Sequence, residues 1–296
     1  MRKKHESHSR EWKDEPLSTH TIRAALRTRL IGQTIYYWPA VNSTNDELNR
    51  LADEGAPEGT LAITDEQLTG RGRLERKWIA PARSSLLMSL LFRPTFLAPT
   101  QVQQLTMICS LAAADAVEMV TGLRPALKWP NDLLLEGRKL AGILTELGFA
   151  PGDPDPGRAA GSPGEQAGRL DWVIVGIGLN VNVDFASHEF HRDWPELAET
   201  ATSLSMVLAQ PVSRLSLLHN YLAGVESRYE TLRAGLSPHP EWAARLVTLG
   251  QDVVVCTPEG VYQGVAEAVD ETGALLLRQP DGEVRRVLAG DVTLSG

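Results

Sequence analysis

The sequence predicts an α+β fold: one large unit of strands and helices, followed by a small all-β unit at the C-terminus. Three observations carry that prediction. Strand-like runs recur at Ile35–Trp38, Thr60–Glu66, Ser84–Arg93, Leu133–Leu135, Arg138–Glu146 and Val173–Asn182. Two long stretches of helical spacing, Thr100–Val120 and Ser213–Leu232, lie between and after them. From Leu249 the texture changes to short strand patterns divided by turn signals.

Taken in order, residues 1–18 are charged, lack apolar periodicity and predict a disordered tail. Thr19–Leu30 predicts a helix, because Ile22, Leu26 and Leu30 fall on one face. After the strand Ile35–Trp38, the run Thr44-Asn45-Asp46-Glu47 matches a capping box with Thr44 as the cap. Leu48, Leu51 and Ala52 follow at helical spacing before Gly55. Ser43 and Thr44 therefore sit at a helix start, where free N–H groups suit anions or polar ligands; plain capping needs only Thr44. Thr100–Val120 lies between Pro99 and Gly122, with Val102, Leu105, Ile108, Cys109, Ala112, Ala116 and Val120 as its buried stripe. Pro130 marks a bulge or a strand end, and Glu136-Gly137-Arg138 a hairpin turn. Residues 151–169 hold five glycines and four prolines and predict a mobile loop joining two strands. Leu217, Leu218, Tyr221, Leu222, Val225 and Tyr229 form the apolar side of Ser213–Leu232. Strands are then expected at Asp252–Cys256, Val261–Val269, Ala274–Arg278 and Val284–Leu288, a small antiparallel barrel. The expected division is thus a tail at 1–18, a large unit at 19–246 and a small unit at 247–296.

Bulk properties fit a soluble cytoplasmic enzyme. The 296 residues are 43% hydrophobic, enough for one large core and a small additional one. The net charge of −8 argues against nonspecific nucleic-acid binding as the main task. Two cysteines, Cys109 in a helical pattern and Cys256 in a strand pattern, make no disulfide framework. No apolar run is long enough to span a bilayer, and the N-terminus is too polar for a secretory signal.

Four clusters carry the chemistry. In Gly70-Arg71-Gly72-Arg73-Leu74-Glu75-Arg76-Lys77-Trp78, glycines let the backbone approach a ligand and take φ > 0 if needed, while cations surround it. The loop lacks the Walker phosphate pattern. Lys128-Trp129-Pro130-Asn131-Asp132 would aim Lys128, Asn131 and Asp132 at one small volume. Across the hairpin lies Lys139-Leu140-Ala141-Gly142-Ile143-Leu144-Thr145-Glu146. The fourth, Gly176-Ile177-Gly178-Leu179-Asn180, reads mainly as a core strand whose glycines allow close packing.

Together with Ser43-Thr44-Asn45 and Gln67, these motifs resemble the biotin protein ligases in order and spacing, from about Thr34 to the C-terminus. The resemblance implies a mixed β-sheet with flanking helices, the catalytic domain shared by class II aminoacyl-tRNA synthetases and biotin–lipoate ligases. It also implies that the C-terminal barrel is SH3-like. The implied activity is attachment of biotin to a lysine of a biotin carboxyl carrier protein. Biotin and ATP first give biotinyl-AMP and pyrophosphate, and the carrier lysine then displaces AMP, with Mg²⁺ offsetting charge repulsion.

Residue roles follow from that resemblance. Arg71 and Arg73 would hold the carboxylate and α-phosphate, in part through loop N–H groups, and Arg76 the departing pyrophosphate. Lys139 would stabilise charge at the acyl phosphate. Ser43, Thr44 and Gln67 would hydrogen-bond the ureido ring, with Asn45, Gly70, Gly72, Trp78 and Gly142 completing the biotin site. Lys128, Asn131, Asp132 and Asn180 would serve the nucleotide, with Arg73, Arg76 and Lys139. Lys139, Arg73 and Asp132 form the catalytic set. Asp132 would bind metal, position or deprotonate the incoming lysine, or simply pair with Lys128; no firm protein metal site is implied. Trp129 and Pro130 read as structural, and Glu146 as a cap or brace of the hairpin. Leu74-Glu75 departs from relatives that are smaller or basic there, so Glu75 is expected to face solvent.

Two other readings compete with this one. A lipoate or octanoyl transferase shares the fold but lacks the combination of these motifs. A ligase that also represses transcription needs a helix-turn-helix unit. Only 42 residues precede Ser43, with one helix and one strand expected among them, so no operator binding is expected. An exposed sheet edge leaves a homodimer open.

Overall fold

The strand-like runs assemble into two sheets. The protein is described by a computed structural model over residues 16–73, 76–150 and 169–294. The larger sheet contains β1 (Ile35–Trp38), β2 (Leu61–Thr64), β3 (Ser85–Phe92), β4 (Ala126–Lys128), β5 (Asp132–Leu135), β6 (Arg138–Phe149) and β7 (Leu170–Asn180). Their spatial order is β1-β2-β3-β7-β6-β5-β4. Only β1 and β2 run parallel, so the sheet is mixed.

Every residue of β3 is buried, which is why its sequence shows no polar alternation. Alternation instead sends its side chains to two different cores. Leu86, Met88 and Leu90, with Val173, Val175 and Ile177 of β7, join the cluster built with helices α3 (Gln103–Thr121) and α7 (Arg214–Arg233). Leu91, Ala62 and Ile174 meet Leu48, Leu51 and Ala52 of helix α2 (Thr44–Asp53) on the opposite face. The face of β6 and β7 beyond α2 is where the candidate site lies.

Helix α1 spans Thr19–Ala24 and stops short of the expected Leu30. Further on, Glu226 on α7 holds the end of that expected helix out of helical form. Its carboxylate accepts from the N–H groups of Arg29, Leu30 and Ile31 at 2.7–3.0 Å. Amides turned to one carboxylate cannot also feed a helical ladder. Leu17 is buried and Ser18 caps α1, so these two residues belong to the fold and not to the expected tail. Residues 1–15 of that tail, and 151–168 of the expected loop, lie outside the described residues. Helix α2 is capped by Ser43, not Thr44, and no side-chain cap bond forms; Thr44 turns to Gln67 instead. Four short helices were not legible: α4 (His188–Asp193), α5 (Pro195–Thr200), α6 (Leu204–Leu208) and α8 (His239–Ala244).

The smaller sheet is antiparallel, in the order β11-β10-β9-β8-β12. Its strands are β8 (Asp252–Thr257), β9 (Gly260–Val269), β10 (Leu275–Arg278), β11 (Val284–Val287) and β12 (Asp291–Leu294). The last was not anticipated; it pairs with β8. Trp129, 1% exposed and preceding a cis Pro130, ties the two sheets together. Its backbone N–H donates to Thr248 Oγ1 at 2.9 Å and its indole N–H to Gly273 O at 2.8 Å.

Candidate active site

Glycines form the floor of the site. Strand register aligns Leu87, Gly178, Gly142 and Asp132 across β3, β7, β6 and β5. A Cβ at Gly178 would fall 2.4 Å from Trp78 Cε2, and one at Gly142 would fall 3.2 Å from Trp78 Cζ3. The Trp78 indole therefore lies directly on this floor, and a side chain at Gly178 would displace it. One step along the strand, Gly176 gives way to Asn45, whose Oδ1 would be 2.2 Å from an added Cβ.

The start of α2 makes one wall. Ser43, Thr44 and Asn45 are buried there. Gln67 Oε1 accepts from Thr44 N–H at 2.9 Å and lies 3.1 Å from Thr44 Oγ1. Its oxygen is thus occupied, which leaves the amide nitrogen as its free polar group. Glu146, expected to brace the hairpin, instead accepts from Asn45 Nδ2 at 2.8 Å and pairs with Arg71 at 3.0 Å. Strand β6 runs on past the hairpin alongside β7, which carries Glu146 to the α2 wall.

Each arginine of the loop is held by an acceptor within the protein. Arg71 pairs with Asp46 and Glu146. Arg73 donates to Asn131 Oδ1 at 3.2 Å and to Gly290 O at 3.3 Å. Burial pushes its guanidinium pKa down, while Asp291 and Asp132 act against that shift. Arg76 lies 2.5 Å from Asp291 on β12. Neither Gly70 nor Gly72 takes positive φ. Gly70 is needed for close approach, since a Cβ there would sit 2.6 Å from Trp78 O. Leu74 and Glu75, and with them the expected outward turn of Glu75, lie outside the described residues.

The third wall is the hairpin. Asp132 is in register with Lys128, yet its Oδ1 lies 2.8 Å from Lys139 Nζ; of the alternatives for Asp132, an ion pair forms, with Lys139 and not Lys128. Burial lowers the Lys128 pKa, partly countered by Asp132. Asn131 is fixed at both ends, donating to Ile143 O and accepting from Arg73. Asn180 is buried with its Oδ1 unpartnered among the described residues.

These walls enclose one cavity of ≈1190 Å³, and every expected site residue except Gly70 lines it. Sequence reasoning missed Phe185, Trp194, Glu196 and Glu199, from the segment around α4 and α5, and Asp291 and Thr293 of β12. Trp194-Pro195, a tryptophan before a helix-starting proline, was the one available signal. Among the described residues no group of three or more His, Cys, Asp or Glu could hold a metal ion. Such a cavity can hold an uncharged polar ring at the α2 end and an anionic group between Lys128, Lys139 and Arg73.

Comparison with known proteins adds a second, independent line. Residues 37–149 match the biotin/lipoate A/B protein ligase family, and residues 248–295 match the biotin protein ligase C-terminal domain. The bifunctional ligase/repressor BirA of Bacillus spizizenii is 33% identical over 282 residues, covering 94% of this chain and 79% of that protein. The biotin–[acetyl-CoA-carboxylase] ligase of Paracoccus denitrificans is 33% identical over 261 residues, covering 86% of this chain and 98% of that protein. Among solved structures, the biotin protein ligase from Aquifex aeolicus in complex with biotin and ATP superposes with a TM-score of 0.67 at 26% identity. That match covers 88% of this chain and 98% of that one.

Proposed function

Since the chain belongs to the biotin protein ligases, within the biotin/lipoate A/B protein ligase family, we propose that it attaches biotin to a lysine of a biotin carboxyl carrier protein. The reaction uses ATP and passes through biotinyl-AMP. One observation carries this reading: a neutral polar slot over a glycine floor opens, within a single cavity, onto a cationic cluster. The slot fits a ureido ring and the cluster fits a carboxylate meeting a polyphosphate.

In this scheme Ser43, Thr44, Asn45 and Gln67 form the ureido end, and Gly142, Gly178 and Trp78 the channel for the ring. Buried polar groups left unpaired by an analogue would reject it. The biotin carboxylate oxygen attacks the α-phosphorus, and the bond to pyrophosphate breaks. Lys139 and Arg73 stabilise the charge gathered there, and Lys128 and Arg76 face the leaving pyrophosphate. The carrier amine then forms the amide bond as AMP departs. Asp132, held by Lys139, orients that amine or takes its proton. Asn180 offers a free carbonyl oxygen to the nucleotide.

Mg²⁺ carried on ATP would add further charge neutralisation. The residues fit that mode and not an all-protein cage: Asp132 is the one carboxylate among the expected nucleotide residues. We further propose a cytoplasmic location, consistent with no helix being long and apolar enough to cross a membrane among the described residues. A homodimer is proposed through the outer edge of β6, where Leu144–Phe149 pair only with β7 among the described residues. No DNA binding is proposed, in keeping with the net charge of −8.

The direct test incubates the protein with ATP, Mg²⁺, biotin and a carrier domain, and weighs the carrier by mass spectrometry. A gain of one biotinyl group is expected. Biotin-dependent exchange of pyrophosphate into ATP without carrier reports the first step; its absence at saturating biotin counts against the adenylate route. A carrier that gains lipoate or octanoate instead overturns the substrate assignment.

A further inference from the structure

The Glu146 carboxylate is shared between two parts of the site. Oε2 accepts from Asn45 Nδ2 at 2.8 Å and from Asn49 Nδ2 at 3.3 Å, both on α2. Oε1 lies 3.0 Å from an Arg71 guanidinium nitrogen, which also meets Asp46. Asn45 extends the link: its Oδ1 accepts from Ser89 Oγ at 2.6 Å, and Ser89 Oγ lies 2.7 Å from Thr44 Oγ1. Thr44 in turn faces Gln67. One polar chain thus joins the arginine loop to the polar end of the slot.

We propose that Glu146 is a positioning residue for the retention of biotin and biotinyl-AMP. By fixing Arg71 it holds the Gly70–Arg73 segment over bound biotin and biotinyl-AMP, and by fixing Asn45 it sets the slot beneath. The inference rests on the ligase reading. Glu146 touches no reacting atom. Arg71, taken by two carboxylates, acts as a tether, while Lys128 and Lys139 meet the ligand's charge. The two halves of the role are chemically separable. An amide oxygen would still accept from Asn45, but an amide cannot hold a guanidinium as a carboxylate does.

The variants are Glu146→Gln, Glu146→Ala, Arg71→Gln and the Glu146→Gln/Arg71→Gln pair. Each is loaded with labelled biotin and ATP, and release of biotinyl-AMP is timed alongside adenylation rate, KM for biotin and thermal melting. Glu146→Gln should release adenylate roughly three- to tenfold faster, with its adenylation rate within about twofold of wild type and an unchanged melting temperature. Arg71→Gln should show the same faster release of adenylate, and the pair should release it no faster than either alone. Glu146→Ala should also raise KM for biotin. Wild-type adenylate lifetimes in both single glutamine variants, or additive losses in the pair, would overturn the proposal. Should Glu146→Gln fail to fold, Arg71→Gln decides alone, because its side chain is 43% exposed and outside the core. If the wild-type protein forms no biotinyl-AMP, the ligase reading itself falls and this inference with it.

Discussion

Lys139 Nζ stands 2.8 Å from Asp132 Oδ1, and the two residues belong to hydrogen-bonded neighbouring strands. The pair fixes an ammonium at the mouth of the cationic cluster before any ligand arrives. Rigid strands keep such a charge where it is needed. Losing a preorganised charge from a partly dry site costs about 3–4 kcal/mol of transition-state stabilisation. Lys139→Ala is therefore expected to slow adenylation by roughly two to three orders of magnitude in single-turnover assays. Lys139→Arg should restore little, since a planar fork does not replace a compact ammonium beside Asp132. Near-normal adenylation by a folded Lys139→Ala variant would remove the central assignment.

Lys128 gives the contrast. Asp132 is engaged with Lys139, and burial drives the Lys128 pKa down. A depressed lysine pKa means that the charged form is disfavoured in the folded protein, so at neutral pH this charge costs stability. Lys128→Met should leave the melting temperature unchanged or raise it, while KM for ATP rises. A clear loss of thermal stability would show that Lys128 is a structural cation.

Arg73 binds the loop to two separate partners, Asn131 and Gly290. Arg73→Ala should release biotinyl-AMP faster and weaken biotin retention, with little change in melting, because a loop contributes little to the core. The measurement is adenylate half-life at matched folded fraction. An unchanged half-life would refute the role.

Asp270 supports the turn between β9 and β10. Burial alone would raise its pKa, but hydrogen bonds from the Thr272 side chain, Arg286 and the backbone of Ala274 and Thr272 hold it at about 2. Since the folded value lies below the unfolded one, the stabilisation is complete above the unfolded pKa, near pH 4, and is lost as pH falls towards 2. Asp270→Asn should lower the melting temperature at pH 6 and approach wild type near pH 2.5. A gap that stays constant across that window would show that the charge is not the source.

The chemistry of the site was more legible than its wiring. The Gly-Arg loop points to an anionic ligand by residue type, and the order and spacing of the Lys128–Asp132 and Lys139–Glu146 motifs place its neighbours through the family resemblance. What the sequence concealed was partner choice. Asp132 takes Lys139 because strand pairing brings them together. Glu146 reaches Asn45, 101 residues away, because β6 runs on past the hairpin beside β7. The stretch from Arg29 to Ile31 is kept out of a helix by a carboxylate on α7 that lies 197 positions from Arg29. Helices α4 and α5, of six residues each, are too short to display a period. Their contribution to the cavity, Trp194 included, went unread for that reason.

The link between Trp129 and Gly273 has a consequence for how this molecule unfolds. The indole leaves the lysine-bearing hairpin and ends on the turn that Asp270 supports, while Gly290 and Asp291 of the small sheet hold Arg73 and Arg76. Occupancy of the cavity and integrity of the small sheet are thereby thermodynamically reciprocal. Saturation with substrates should slow amide hydrogen exchange across β8–β12, including strands that do not line the cavity, and loosening that sheet should shorten ligand residence to the same energetic extent. On this expectation the C-terminal strands are a ballast for the cavity they border.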